Sequence, residues 1–288
     1  MRTLLIHLFL YFAIYLPIFS YAKNEEIRFD KLSVEHGLSQ VTVQNIYQDS
    51  EGFIWIGTTD GLNRYDGYHF EIFRHDPENA QSISGNQIKS IFEDHLGHLW
   101  VGTNGSGINI YDRANNSFSR FQFDASKSTT ISENVISDIK EDIHGNVWVA
   151  TTHGLNKYDR NTNEFTQYFH DSKNSRSLSH NNIQVLFFDS QDTLWVGTKG
   201  GGLNRYNEKY DDFSRTVDSS TSQLSITSII EFENGMLWVG SEKGVYHTGI
   251  NNKDLSIELS QNIVPESLTR SFITSAFADS NDFMWFGT

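Results

Sequence analysis

The amino-acid sequence predicts an all-β fold, a β-propeller of four-stranded antiparallel blades, and two observations support this prediction. The first is a repeat of about 46 residues, marked by tryptophans that are separated by 45, 48, 47, 43 and 47 residues. A period of this length is typical of propellers and solenoids. The second is that every copy consists of short apolar runs separated by Asp, Asn and Gly, without a helical period. The six markers are Trp55, Trp100, Trp148, Trp195, Trp238 and Trp285.

Each repeat contains four predicted strands, which we name a to d in chain order. An Asp and a Gly three residues apart, as at Asp49 and Gly52, predict the turn between strands a and b, because Asp can bond the following backbone and Gly can adopt positive φ. Strand b carries the Trp, and a small residue two places later predicts close approach of the next blade. A second Gly, as at Gly61, predicts the turn into strand c, and strand d carries further aromatic residues.

The repeat predicts blade boundaries at about 41–81, 82–129, 130–176, 177–222 and 223–266, followed by a partial blade at 267–288. A short polar segment around one apolar residue links each blade to the next. Residues 27–32 are similar to strand d and 37–39 to the link, so we expect residues 23–40 to hold a closing strand and the first link. We therefore expect five full blades and half of a sixth in a fragment of a ring that has seven blades when complete. Residues 23–288 alone should expose an apolar blade face and associate.

The first 22 residues predict a cleaved signal peptide. Arg2 precedes an apolar run at 4–19, and Ser20-Tyr21-Ala22 has the small-x-small pattern of a cleavage site. An uncleaved membrane anchor is the alternative. Because no second apolar run of the sequence is long enough to span a bilayer, we expect an exported, periplasmic protein.

Composition excludes several function classes. The net charge of −14 repels phosphate backbones, so nucleic acid is not an expected partner. The chain has no cysteine, which excludes disulfides, thiolate metal sites and cysteine nucleophiles. The histidines show no ligand spacing, and His95 and His98 flank a predicted turn. The sequence therefore predicts no metal and no cofactor.

The repeated string Ile-x-x-Ile-x-x-Asp-x-x-Gly-x-x-Trp-x-Gly-Thr, followed by Gly-Leu-Asn-x-Tyr-Asp, resembles the two-component regulator propeller repeat from residue 41 to 288. The clearest copies are 45–66 and 90–112. The resemblance implies a periplasmic sensory head, tethered by a membrane span and followed by a histidine kinase of a phosphorelay or a diguanylate cyclase. These signalling domains, and a receptor dimer, are the partners that it implies.

The sequence departs from the repeat at a few positions. Asp192 and Asp282 replace Gly in the a–b turn, and Ala150 replaces Gly after Trp. The fifth blade has Phe232 in place of Asp and Thr248 in place of the strand c tyrosine. We expect these changes to alter the turn geometry of the fifth blade and to leave the fold intact.

Variable polar residues in the b–c turns are the candidate ligand-binding positions. The b–c and d–a turns lie on one face of a propeller, so these residues converge there. Their mixed polar chemistry would suit a neutral, hydroxyl-rich ligand such as an oligosaccharide; the alternative is that they are solvated turn residues. The candidates are Asp60, Asn104, His153, Lys199 and Glu242. Asn86, Asn134 and Asn181 in the d–a turns are interpreted as backbone-bonding residues.

The leading functional hypothesis is a ligand-sensing input region of a membrane receptor. The alternatives are a secreted propeller enzyme, either a polysaccharide lyase or a glycosidase, and a protein-interaction scaffold. An enzyme of that kind needs an acid/base pair a few ångströms apart. No unrepeated carboxylate pair stands out in the sequence, so we predict no catalytic residue in this segment.

Overall fold

The computed structural model describes residues 31–216, 221–232, 235–248, 257–259, 264–279 and 283–288. The predicted signal peptide lies outside these residues, as does most of the predicted closing strand. None of the described residues belongs to a helix with the length and apolar character needed to cross a bilayer. One turn of 3-10 helix at Val34–His36 precedes the strands.

The described strands form five four-stranded antiparallel sheets and a two-stranded one. Within each sheet, strands that are consecutive in the chain pair with each other. Blades 1 to 5 are β1–β4, β5–β8, β9–β12, β13–β16 and β17–β20, and blade 6 contains β21 and β22. The bounds are β1 (Val43–Gln48), β2 (Ile54–Thr58), β3 (Gly61–Tyr65), β4 (Phe70–Phe73), β5 (Ile88–Glu93), β6 (Leu99–Thr103), β7 (Ile108–Asp112), β8 (Ser117–Phe121), β9 (Ile136–Glu141), β10 (Val147–Thr151), β11 (Gly154–Asp159), β12 (Glu164–Tyr168), β13 (Ile183–Phe188), β14 (Leu194–Thr198), β15 (Leu203–Asn207), β16 (Asp212–Arg215), β17 (Ile226–Phe232), β18 (Met236–Ser241), β19 (Gly244–Thr248), β20 (Ile257–Leu259), β21 (Ser275–Ala278) and β22 (Met284–Gly287). The predicted propeller fold is confirmed.

The a–b turn has the predicted chemistry. The Asp49 Oδ1 atom accepts hydrogen bonds from the backbone N–H groups of Glu51 and Phe53, at 3.1 and 2.9 Å. Gly52 has a φ of +92°, which a residue with a side chain rarely adopts. In the fourth blade Asp192 occupies the glycine position with a φ of +60°. The departure from glycine therefore keeps the turn, because Asp tolerates the left-handed region better than most residues.

Contacts between successive sheets are concentrated at their first strands: β1 contacts β5, β5 contacts β9, β9 contacts β13, β13 contacts β17, and β17 contacts β21. The small residue two places after each tryptophan permits this close approach. A Cβ atom added to Gly57 would lie 2.6 Å from the Ile88 Cγ2 atom, and one added to Gly102 would lie 2.5 Å from the Ile136 Cγ2 atom. The predicted close approach of neighbouring blades is confirmed.

Aromatic side chains fill the space between the sheets. The Trp55 ring is fully buried, stacks on Phe73 of its own blade with centroids 5.7 Å apart, and meets Tyr111 of the next blade edge-on at 5.2 Å. The same arrangement surrounds Trp100 and Trp148. Trp285 departs from the expectation of a core tryptophan, with 55% of its surface exposed, because no described blade covers the far side of β22.

The links that precede blades 1 to 4 are anchored by the asparagine of the following strand c, a role that the sequence did not predict. Before blade 5 the Ser225 N–H donates to Glu242 instead, and Tyr246 holds the asparagine position. The apolar link residue is buried, as expected: Ile83 is fully covered. The next residue, Ser84, donates its backbone N–H to the Asn109 Oδ1 atom at 2.7 Å, and Asn109 Nδ2 donates to the Ser84 Oγ atom at 2.9 Å. The same pairs recur as Ser39 with Asn63, Ser132 with Asn156, and Ser179 with Asn204.

The fifth blade keeps the four-stranded pattern despite its departures from the repeat. Thr248, in the tyrosine position, is buried and accepts a hydrogen bond from the Leu237 N–H at 3.1 Å. Phe232 ends β17 and packs against the cluster around Trp238. Residues 233 and 234 of its a–b turn lie outside the described part of the chain, as does Asp282, so the altered turn geometry stays a prediction.

Exposed apolar side chains lie on the outward sides of blade 1 and blade 6. Ile46 of β1 is 64% exposed, and Phe277 of β21 and Phe283 before β22 are exposed to a similar extent. These surfaces are of the kind that leads to association. The expectation that residues 23–288 associate remains a prediction.

Candidate functional site

The b–c and d–a turns come together on one face. The Gly61 N–H of the first b–c turn donates to the Asn86 carbonyl oxygen at 2.8 Å, and the Asn86 Oδ1 atom accepts from the His75 N–H at 2.7 Å. Asn134 and Asn181 make the same two kinds of contact. These asparagines bond the backbone, as interpreted from the sequence, and each ties a d–a turn to the preceding blade.

Two of the candidate ligand residues have side-chain partners on this face. The Asp60 carboxylate lies 3.0 Å from the Arg74 guanidinium, and both side chains are about half exposed. The Asn104 side-chain amide donates to the Gln87 Oε1 atom at 2.8 Å. Both side chains therefore stand at the surface, with part of their hydrogen-bonding capacity used within their own blade region.

The other three candidates lie in the next three b–c turns. The His153 ring is exposed, with its centroid 5.8 Å from that of Phe169. Lys199 is exposed, and Glu242 accepts a hydrogen bond from the Ser225 N–H at 2.6 Å. No hydrogen bond or ion pair within the described residues joins any two of the five candidates. They form a polar rim of separate groups, and their role in binding stays a prediction.

The opposite face, formed by the a–b and c–d turns, holds buried ion pairs between blades. Arg113 donates to the Asp49 Oδ2 atom of blade 1 at 2.9 Å and to the Glu93 Oε1 atom of its own blade at 2.7 Å. The Trp55 indole N–H donates to the same Asp49 oxygen at 2.7 Å. Burial favours the neutral acid, but these hydrogen bonds dominate and hold the pKa of Asp49 below its usual value. We call Asp49, Glu93 and Arg113 the first interblade clasp.

The second interblade clasp consists of Asp94, Glu141 and Arg160, with distances of 3.0 Å from Arg160 Nη2 to Asp94 and 2.7 Å to Glu141. Burial opposes ionisation of Asp94, yet hydrogen bonds from Trp100 and Arg160 lower its pKa. His95 Nδ1 lies 2.7 Å from Glu141 and His98 Nδ1 lies 3.1 Å from Asp94, with both imidazoles about half exposed. The two histidines thus contact clasp carboxylates.

The joint between blades 3 and 4 lacks this clasp, because Glu208 stands where Arg113 and Arg160 stand in the preceding blades, and Phe188 stands where Glu93 and Glu141 do. The Glu208 carboxylate instead lies 3.0 Å from His144 Nε2. Close by, Asp211 accepts hydrogen bonds from two tyrosine hydroxyls, Tyr168 at 2.8 Å and Tyr206 at 2.7 Å. Burial and the bond to Asp211 raise the pKa of both phenols.

A cavity lined by described residues lies between blades 2 and 3, on the clasp face. Its volume is about 680 Å³, within the range of small-molecule sites. None of the five predicted site residues lines it. Its walls include Leu96, His98, Ile110, Ser119, Phe121 and Tyr158. Within the described residues, no group of three or more His, Asp and Glu side chains is arranged to hold a metal ion.

Comparison with known proteins agrees with this architecture. The model of the two-component regulator propeller family matches residues 37–60, 82–105, 130–153 and 177–200. A protein named histidine kinase P4 from Formosa agariphila is 44% identical over 70 residues, which are 24% of this chain and 5% of the kinase.

Among solved structures, an extracellular domain from B. thetaiotaomicron, whose parent protein is described as a hybrid two-component system, superposes with a TM-score of 0.77. It is 25% identical, and the match covers 90% of this chain and 34% of that one. Virginiamycin B lyase from Staphylococcus aureus gives a TM-score of 0.61 at 12% identity, over 85% of this chain and 77% of the lyase, which shows a shared fold alone. The chain spans about a third of the first structure. Each matched segment contains the tryptophan of one blade, so four blades of this β-propeller carry two-component regulator propeller repeats.

Proposed function

We propose that this chain is the ligand-sensing input region of a membrane signal-transduction receptor. The propeller would lie in the periplasm, tethered to the inner membrane, and would pass its signal to a histidine kinase of a phosphorelay or to a diguanylate cyclase. A receptor dimer would be the signalling form.

The observation that carries the proposal is the likeness, over nine-tenths of the chain, to an extracellular domain described as part of a hybrid two-component system. The short stretch that is 44% identical to a histidine kinase supports the phosphorelay output over the cyclase. The resemblance of residues 1–22 to a signal peptide supports export.

The proposed ligand is a neutral oligosaccharide bound on the b–c face. Asp60, His153 and Lys199 are surface residues of blades 1, 3 and 4 there, and none is in a buried ion pair. Their donors and acceptors can therefore exchange water for ligand hydroxyls at a small cost in desolvation.

The test is calorimetric titration of the full chain with neutral tetrasaccharides of glucose, xylose and mannose, together with an assay for newly formed reducing ends. We expect binding without turnover. Alanine variants of Asp60, His153 and Lys199 should bind at least about tenfold more weakly, a loss of about 1.4 kcal/mol or more. The matched control is Asn115→Ala, an exposed position on the other face.

Turnover of any tetrasaccharide would support the secreted enzyme instead of the sensor. Binding that the three b–c variants leave unchanged would remove the proposed site, and failure of every tetrasaccharide to bind would remove the ligand class.

A further inference from the structure

A basic residue covers the tryptophan in three of the first four blades. It lies on strand c, directly opposite the tryptophan of strand b. The cation-to-ring-centroid distances are 5.8 Å for Arg64 and Trp55, 5.1 Å for Lys157 and Trp148, and 6.0 Å for Arg205 and Trp195. Such contacts are favourable, and they place a long side chain in the outer part of each joint between blades.

Blade 2 is the exception. Ile110 is the cross-strand partner of Trp100, in the position that Arg64 has in blade 1. The next strand changes with it: Arg64 is paired with Glu71 on strand d, whereas Ile110 faces Ser119. Blade 2 therefore has neither member of the blade 1 ion pair, and the cavity of about 680 Å³ lies at this place.

The accessible wall of the cavity is mainly apolar. Leu96 is 56% exposed, and Ile110 and Phe121 are half-buried, whereas Tyr111 and Tyr158 are almost wholly covered and give the wall rigidity. Hydrogen-bonding capacity comes from the exposed Ser119 hydroxyl and from the half-exposed His98 imidazole. This combination of an apolar wall with a few polar groups is typical of small-molecule sites.

Charge excludes strongly ionic ligands. Arg113 and Arg160 line the cavity, but each is held by two clasp carboxylates at 3.0 Å or less. An anion would have to compete with those carboxylates. A cation would find Ser119 where Glu71 compensates Arg64 in blade 1. The Asp112 carboxylate also lines the cavity, but it already accepts hydrogen bonds from Ala114 and Asn115.

We propose that this cavity, which we call the blade 2–3 groove, is a second ligand site, separate from the b–c face, for an uncharged compound with a ring-sized apolar group. The ligand would occupy the space that the Arg64 side chain fills in the preceding joint, with its ring against Ile110 and Phe121 and a polar substituent near Ser119. The proposal does not depend on the function proposed above.

The test uses N-phenylnaphthylamine, an uncharged aromatic probe whose emission rises in apolar surroundings, with the full chain. The double variant Ile110→Arg with Ser119→Glu introduces into blade 2 the ion pair that Arg64 and Glu71 form in blade 1, and its longer side chains should fill the groove. We expect at least about tenfold weaker probe binding, with the melting temperature within a few degrees of wild type. The matched control is Lys157→Arg, which keeps a cation in the next joint and should leave binding unchanged.

A measurement on the unaltered protein makes the test independent of the folding of the variant. In nuclear Overhauser spectra, the probe should show cross-peaks to the Ile110 methyl groups. The proposal is overturned if the double variant folds and binds the probe as wild type does, or if cross-peaks arise only from exposed apolar residues elsewhere, such as Ile46.

Discussion

The asparagine of strand c offers the sharpest test of what holds a blade together. Asn109 is fully buried, and its amide makes two short hydrogen bonds to Ser84, with a longer one of 3.4 Å to the Val101 carbonyl. We predict that Asn109→Ala weakens the protein by leaving the Ser84 N–H and hydroxyl without these partners in a site that water barely reaches, since Ser84 is 8% exposed.

The expected magnitude follows from those two contacts. A typical hydrogen bond contributes about 0.5–1.5 kcal/mol net, and a buried donor left unsatisfied costs about 1–3 kcal/mol. Because the substitution leaves the Ser84 N–H without an acceptor and removes one partner of the Ser84 hydroxyl, we expect a loss of about 2–4 kcal/mol in the free energy of unfolding. Asn115→Ala, an exposed asparagine six residues away in the same blade, should change it by less than about 0.5 kcal/mol.

The assay is urea unfolding of the full chain, followed by tryptophan fluorescence, with amide exchange of Ser84 as a local readout. Exchange at Ser84 should accelerate in the Asn109 variant and stay unchanged in the Asn115 variant. Equal unfolding free energies for the two variants, or unaltered exchange at Ser84, would refute the assignment of Asn109 as the anchor of the link.

Three further outcomes are expected. Trp148→Ala should lower the unfolding free energy by about 3–5 kcal/mol in calorimetry, whereas Trp285→Ala, at an exposed ring, should cost about 1 kcal/mol or less; equal losses would contradict the packing described. Gly102→Val should destabilise by about 1–3 kcal/mol because its side chain meets Ile136 of the next blade, and a neutral result in thermal melts would argue against that contact. Burial alone would raise the pKa of Asp94, but hydrogen bonds lower it in the folded state. The contribution of Asp94 to stability is therefore present above about pH 4 and is lost as the pH falls further. The urea midpoint should drop less between pH 5 and 3 in Asp94→Asn than in wild type.

The sequence alone was sufficient for the fold because its evidence is local. Strand alternation, the Asp49 and Gly52 turn and the tryptophan spacing each lie within one blade, and six copies in phase leave little ambiguity. The close contact at Gly57 was also predictable, since a missing side chain beside a bulky ring indicates a neighbouring backbone. Counting strands assigned the b–c positions, from Asp60 to Glu242, to one face, and their part in binding stays a prediction.

Only the tertiary structure decided how the blades are joined. Arg113 and Asp49 are 64 positions apart, and Arg160 and Asp94 are 66, so no local pattern connects the members of a clasp. The buried role of Asn109 was hidden for the same reason: an asparagine in a strand can be solvated or buried, and its partner at Ser84 lies in the preceding link.

The blade 2–3 groove shows where the two kinds of information meet. The substitution of Ile110 for a basic residue is visible in the aligned repeats, yet it carries no meaning until Arg64 is seen lying over Trp55 and paired with Glu71. By itself the sequence determined what each blade is, because strands and turns form from residues close in the chain. The spaces and ion pairs between blades needed the tertiary structure, because they depend on side chains that the fold brings together from more than one repeat away.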